Sequence, residues 1–86
     1  MDSNDSAEQL ILNLDQLHTT DLSIERIKRN LSLDVEDVAH WCKQKIKAPD
    51  IRITRKGKNW YVTIADCVIT VNAHSYTIIT AHRLTL

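Results

Sequence analysis

The sequence predicts an α+β domain, with three N-terminal helices packed on one face of a four-stranded antiparallel meander sheet. Three observations lead there. The apolar spacing is helical before Pro49 and alternates with period two after it. The second half is rich in β-branched residues. The links between its alternating runs are so short that neighbouring strands must run antiparallel. With 86 residues the chain has room for one domain, 1–86. A domain of that size buries only roughly 60 to 65% of the surface its unfolded chain exposes, so one modest core must serve.

Ala7, Leu10, Ile11, Leu14 and Leu17 recur at helical spacing and describe a first helix over 6–17, with Asp5 or Ser6 as its N-cap. Residues 1–5 and the last two are expected to be disordered. His18, Thr19 and Thr20 interrupt the pattern. Thr20 or Asp21 caps a second helix whose buried stripe is Ile24, Ile27 and Leu31, ending at 30–32. Ser32 or Asp34 caps a third, with Asp34, Glu36 and Asp37 in its first turn and Val35, Val38, Ala39, Cys42 and Ile46 on its inner face. The helical half is thus 6–48 and the β half 50–83.

The strands are expected at 50–55, 59–65, 67–73 and 76–83, with turns at 56–58, at Asp66 and at 74–75. Adjacent strand residues face opposite sides, which assigns Trp60 to the core and Tyr61 to the open face. The last strand has two registers. A two-residue turn places Tyr76 opposite Ala73, and Thr77, Ile79, Ala81 and Arg83 on the face of Thr70 and Asn72. A three-residue turn reverses the parity and sets Thr80 and His82 beside Thr70 and Asn72. The second is preferred because it groups polar with polar, and it leaves Ile78 exposed.

Composition excludes several chemistries. Cys42 and Cys67 sit in no CxxC or CxxH pair, so a structural zinc site lacks ligands, and both are expected as reduced core thiols. A single glycine, Gly57, rules out Walker A and dinucleotide-binding loops. No nucleophile elbow marks a Ser-His-Asp hydrolase, and Asp50 and Asp66 alone in the β half do not suit a two-metal nuclease. No cofactor or metal is expected. No apolar run approaches the ~18 residues of a membrane span, and the acidic stretch 1–8 is unlike a signal peptide, so the expectation is a soluble cytoplasmic protein.

The zero formal net charge conceals an asymmetry: residues 1–25 hold Asp2, Asp5, Glu8, Asp15, Asp21 and Glu25 and no Lys or Arg. The densest basic block, 43–58, carries Lys43, Lys45, Lys47, Arg52, Arg55, Lys56 and Lys58 against Asp50 alone. Such a block can neutralise phosphates, and an aromatic behind it can stack a base. The expected function is binding of RNA or another single-stranded nucleic acid, with metal-free cleavage as a further step. His82 and His18 would move protons beside Thr80 and Asn72, while Arg55, Lys56, Lys58, Tyr61 and Arg83 would hold the strand. The alternative is a small protein-binding module, an inhibitor or an accessory factor of a mobile element, whose acidic helical half meets a protein partner. Homodimerisation through an uncovered edge strand is a third expectation.

The strings LHTT (17–20), RIKRNL (26–31), GKNWY (57–61) and ITVNAHSYTIITAH (69–82) resemble a small bacterial family of uncharacterised function, over roughly residues 10–83. The layout is similar, more distantly, to the barnase, EndoU, colicin and RelE-like ribonucleases, in which N-terminal helices pack on a four-stranded antiparallel sheet. That likeness implies a toxin-type, metal-independent endoribonuclease. It would place His82 and Thr80 on the last strand, Asn72 on the third, Arg55 or Lys58 near the first turn, and His18 in the helical half.

Overall fold

A computed structural model describes residues 3–48 and 50–84. Among them, three α-helices precede one antiparallel sheet of order β1-β2-β3-β4. The helices are α1 (Ser3–Leu12), α2 (Asp21–Leu31) and α3 (Val38–Ile46). The strands are β1 (Arg52–Lys56), β2 (Asn59–Ile64), β3 (Cys67–Asn72) and β4 (Ile78–Arg83). This is the α+β meander that the change of period predicts. Residues 1, 2, 49, 85 and 86 lie outside the described residues, and with them most of the expected terminal disorder; residues 3–5 belong to α1.

Helix α1 stops before 17 for a local reason. The Asn13 side-chain amide donates to Gln9 O at 2.8 Å, taking the carbonyl that the next helical N–H would use. Its own N–H turns to Leu10 O at 3.2 Å, and a 3-10 turn follows at Leu14–Gln16. Leu10 and Leu17 still reach the core, but Ile11, expected on the buried stripe, is exposed.

Helix α2 opens on Thr20, whose Oγ1 accepts from Ser23 N at 3.1 Å while Ser23 Oγ accepts from Thr20 N at 2.8 Å. This is a capping box with a serine in the usual Glu position. It closes at Ser32, left-handed at φ 53, where Leu33 N donates to Lys28 O at 3.0 Å. Ser32 therefore ends α2 rather than starting α3. The cap of α3 is Asp37, whose Oδ1 accepts from His40 N at 3.0 Å. Val35, Asp34 and Glu36 consequently precede the helix, and Val35 packs on the core from the connecting loop.

Two-residue links join β1 to β2 (Gly57, Lys58) and β2 to β3 (Ala65, Asp66). The third connection resolves the ambiguity of β4 by using both registers. Asn72 N donates to Thr77 O at 2.8 Å and Val71 pairs with Ile78, the parity of the shorter turn. A β-bulge at Ile79 then shifts the strand, so Thr70 pairs with Thr80, Ile69 with Ala81 and Val68 with His82, the parity of the longer turn. Ile78 and Ala81 both enter the core in consequence, and Ile78 is fully buried rather than exposed.

The core lies between the helices and one sheet face. Trp60, Val62 and Ile64, then Cys67, Ile69 and Val71, then Ile78 and Ala81, meet Leu10, Leu17, Ile27, Leu31, Val38, Cys42 and Ile46. Each large aliphatic buried there contributes about 1.5–3 kcal/mol. Helix α2 runs along β4 and seals its outer edge. Asn30 Nδ2 donates to Ala81 O at 3.2 Å and Arg83 Nη2 to Leu31 O at 3.1 Å. His18 adds a parallel bridge to Thr77, with Ile78 N donating to His18 O at 2.8 Å. Of the two edges expected to allow dimerisation, β4 is thus covered and β1 has β2 as its strand partner.

Candidate nucleic-acid interface

The pleat sends alternate residues to the face away from the helices, where the register aligns them in three rows across the sheet. The central row is Thr54, Tyr61, Thr70 and Thr80. On one side lie Arg52, Thr63, Val68 and His82; on the other, Lys56, Asn59 and Asn72, beyond which Thr77 faces Asn72. No carboxylate stands in any row. Tyr61 is half-buried near the middle, as assigned, with Trp60 in the core behind it. Thr70 and Val68 are buried although they face away from the helices. Their cross-strand neighbours flank them: Tyr61 and Thr80 beside Thr70, Thr63 and His82 beside Val68. His82 itself is exposed.

The other expected residues are distributed differently. Arg55 pairs with Trp60 and shares its face, on the helical side; its guanidinium carbon lies 5.8 Å from the Trp60 ring centroid and its Nε donates to Gly57 O at 2.9 Å. Arg83 pairs with Cys67 and also leaves the open face. It ion-pairs with Asp66 at 3.3 Å and holds the end of α2 through Leu31 O. Lys58 sits exposed at the β1–β2 turn, where its carbonyl accepts from Ala73 N at 2.7 Å. The linear basic block is therefore not one stripe. Lys43 and Lys45 lie on α3, Arg55 faces the helices, and Arg52 and Lys56 border the open face.

His18 and Asn72 do come together, through two residues that sequence reasoning passed over. His18 Nδ1 lies 3.1 Å from Gln16 O, and its Nε2 lies 3.0 Å from Thr77 Oγ1. Thr77 Oγ1 is 2.7 Å from Ser75 Oγ, which lies 3.2 Å from Asn72 Oδ1. Asn72 Oδ1 also accepts from His74 N and Ser75 N at 2.9 and 3.0 Å, folding the loop that leads into β4. The signal for Thr77 was present: the two-residue register places it opposite Asn72.

His18 and His82 are not brought together. His18 holds Thr77, just ahead of β4, while His82 lies five residues further on, beyond the bulge, a separation on the order of 10 Å or more at about 3.3 Å per residue. Direct proton exchange between them is out of reach. Among the described residues no group of three or more His, Cys, Asp or Glu is arranged to hold a metal ion. Cys42 and Cys67 are free and buried, as expected. Burial, then the neighbouring Cys67, pushes the Cys42 thiol up to about 12; burial, then Asp66, raises Cys67. Neither is poised as a nucleophile. On the acidic side, Glu8, Asp15, Asp21 and Glu25 are exposed, and Asp2 lies outside the described residues.

Fold and surface together define a small α+β domain with one sheet face roofed by helices and the other left as a polar platform without carboxylates. The chain belongs to the family described as Protein of unknown function (DUF3781), which matches residues 11–82. No curated protein and no solved structure matches it. No helix of the described residues is long and apolar enough to cross a membrane.

Proposed function

We propose that the helix-free sheet face binds single-stranded RNA. One observation carries the reading: three cross-strand rows hold hydroxyl, amide, imidazole and cationic groups around Tyr61 and no carboxylate, in a chain whose acids and bases are equal in number. A strand laid over this face would stack a base on Tyr61 and run its phosphates past Arg52 and Lys56. Thr63, Thr80, Asn72 and His82 offer donors and acceptors to base edges and 2'-hydroxyls. Cleavage is left out of the proposal, because the expected acid and base stand apart, His18 against Thr77 and His82 near the far end of β4.

The test is fluorescence anisotropy of a labelled mixed-sequence RNA oligonucleotide in EDTA, titrated with salt. Affinity should fall as salt rises, and Lys56→Gln should reduce the salt slope by about one phosphate contact. Tyr61→Ala should weaken binding by about tenfold or more, the effect of losing one stacked base. The RNA should remain uncut. Absent or salt-independent binding, or wild-type affinity in Tyr61→Ala, overturns the reading.

A further inference from the structure

On the helical side of the sheet, the β2–β3 turn, the end of α2 and part of α3 leave a cavity of about 120 Å³. None of its residues belongs to the rows of the open face. Its apolar lining comes from Leu31, Leu33, Ile64 and Cys67. Its polar lining is Trp41, Lys45, Asp66 and Arg83.

The commitments of those polar groups determine what the cavity can take. Asp66 is already paired with Arg83, at 3.3 Å. Arg83 spends one N–H on that carboxylate and one on Leu31 O, which leaves three of its five donors. Lys45 makes no ion pair among the described residues; its ammonium rests over the Trp41 ring, 5.3 Å from the centroid. Two cations against one carboxylate leave the rim net positive with unused donors and no free partner charge. The space resembles in size a cavity of about 150 Å³ that holds benzene, so the apolar body of a ligand is limited to about four to six carbons.

The geometry points to a binding site for a small monocarboxylate with a compact apolar tail, the tail on Leu31, Leu33 and Ile64 and the carboxylate on Lys45 at the mouth. A cationic ligand would meet Lys45 and Arg83, and a neutral one would leave the ammonium without a new partner. Acetate has too little tail to fill the space.

The probe is 3-methylbutanoate, titrated into the isotopically labelled protein and followed by the Trp41 indole N–H and the backbone amides of residues 64–67. A saturable shift with a dissociation constant on the order of 1 mM is expected for so few atoms. The isosteric 3-methylbutanamide should bind at least about tenfold more weakly, the worth of one charge-assisted hydrogen bond. Acetate and 3-methylbutylamine should give no saturable shift. Lys45→Met should weaken the carboxylate at least about tenfold in a protein that still unfolds cooperatively. Equal binding of acid and amide, full affinity in Lys45→Met, or no saturation at tens of millimolar overturns the site. Lys45 lies off the open sheet face, so failure here leaves the RNA experiment unaffected, and the reverse holds.

Discussion

Three described residues without glycine's freedom adopt left-handed backbone, Ser32 at the end of α2, Ala65 and Tyr76, and the last two differ in what holds them there. Ala65, at φ 52, is exposed in the β2–β3 turn. Left-handed backbone costs an L-residue about 1–2 kcal/mol, while glycine's extra unfolded-state entropy costs about 0.5–1 kcal/mol. Ala65→Gly should therefore stabilise the protein by up to about 1 kcal/mol in urea unfolding. Tyr76, at φ 61, is a different case. Its ring packs on Trp60 with centroids 5.4 Å apart, and its carbonyl accepts from His18 N at 3.2 Å. The same glycine substitution there should destabilise, because the lost ring contact outweighs the relieved strain. At this scale the sequence was informative about Trp60 and Tyr61, since neighbours on a strand must diverge. Arg55 was also within reach: a two-residue turn at Gly57 and Lys58 sets it across from Trp60 and so off the open face.

At the scale of elements, β4 shows how one inserted residue satisfies two conflicting patterns. Without the bulge at Ile79, a single register would expose either Ile78 or Ala81 and would turn His82 or Thr77 inward. Adjacent isoleucines consequently have unequal worth. Ile78→Ala should cost about 2–5 kcal/mol, as for other fully buried aliphatics, whereas Ile79→Ala, at a half-buried bulge, should cost under about 1 kcal/mol. A larger loss for Ile79→Ala than for Ile78→Ala in chemical denaturation would mean that the strand keeps the three-residue register throughout. Periodicity alone could not find the bulge, because a period-two pattern is blind to a single insertion. The helix ends were half legible. Thr20 was available as a cap from its place before the second stripe, while Ser32 could cap either the end of α2 or the start of α3 until its backbone conformation was known.

On the scale of the whole molecule, the helical layer and the sheet meet along a seam that holds both thiols, Cys42 from α3 and Cys67 from β3. The folded Cys42 pKa is raised, to about 12 from an ordinary value near 9, so the folded protein keeps a proton that the unfolded chain releases. Stability from this group is complete below about pH 9 and is lost as pH climbs toward 12, by about 1.4 kcal/mol per pH unit. Urea midpoints should fall over that alkaline range, and Cys42→Ala, less stable at neutral pH, should show a shallower decline. Apolar periodicity was enough for the fold class, the division into a helical and a β half, the order of the strands and the inward face of the first three, because its burial leaves few alternatives for so short a chain. What needed the tertiary structure was how β4 serves both sheet faces and where the remaining polar residues fall. That structure scattered the basic block over two faces and a helix, set His18 against Thr77 and His82 near the far end of β4, and left a half-open cavity beside Lys45. Those outcomes depend on the bulge and on how the helices lie across the sheet, and side-chain type along the chain does not encode either.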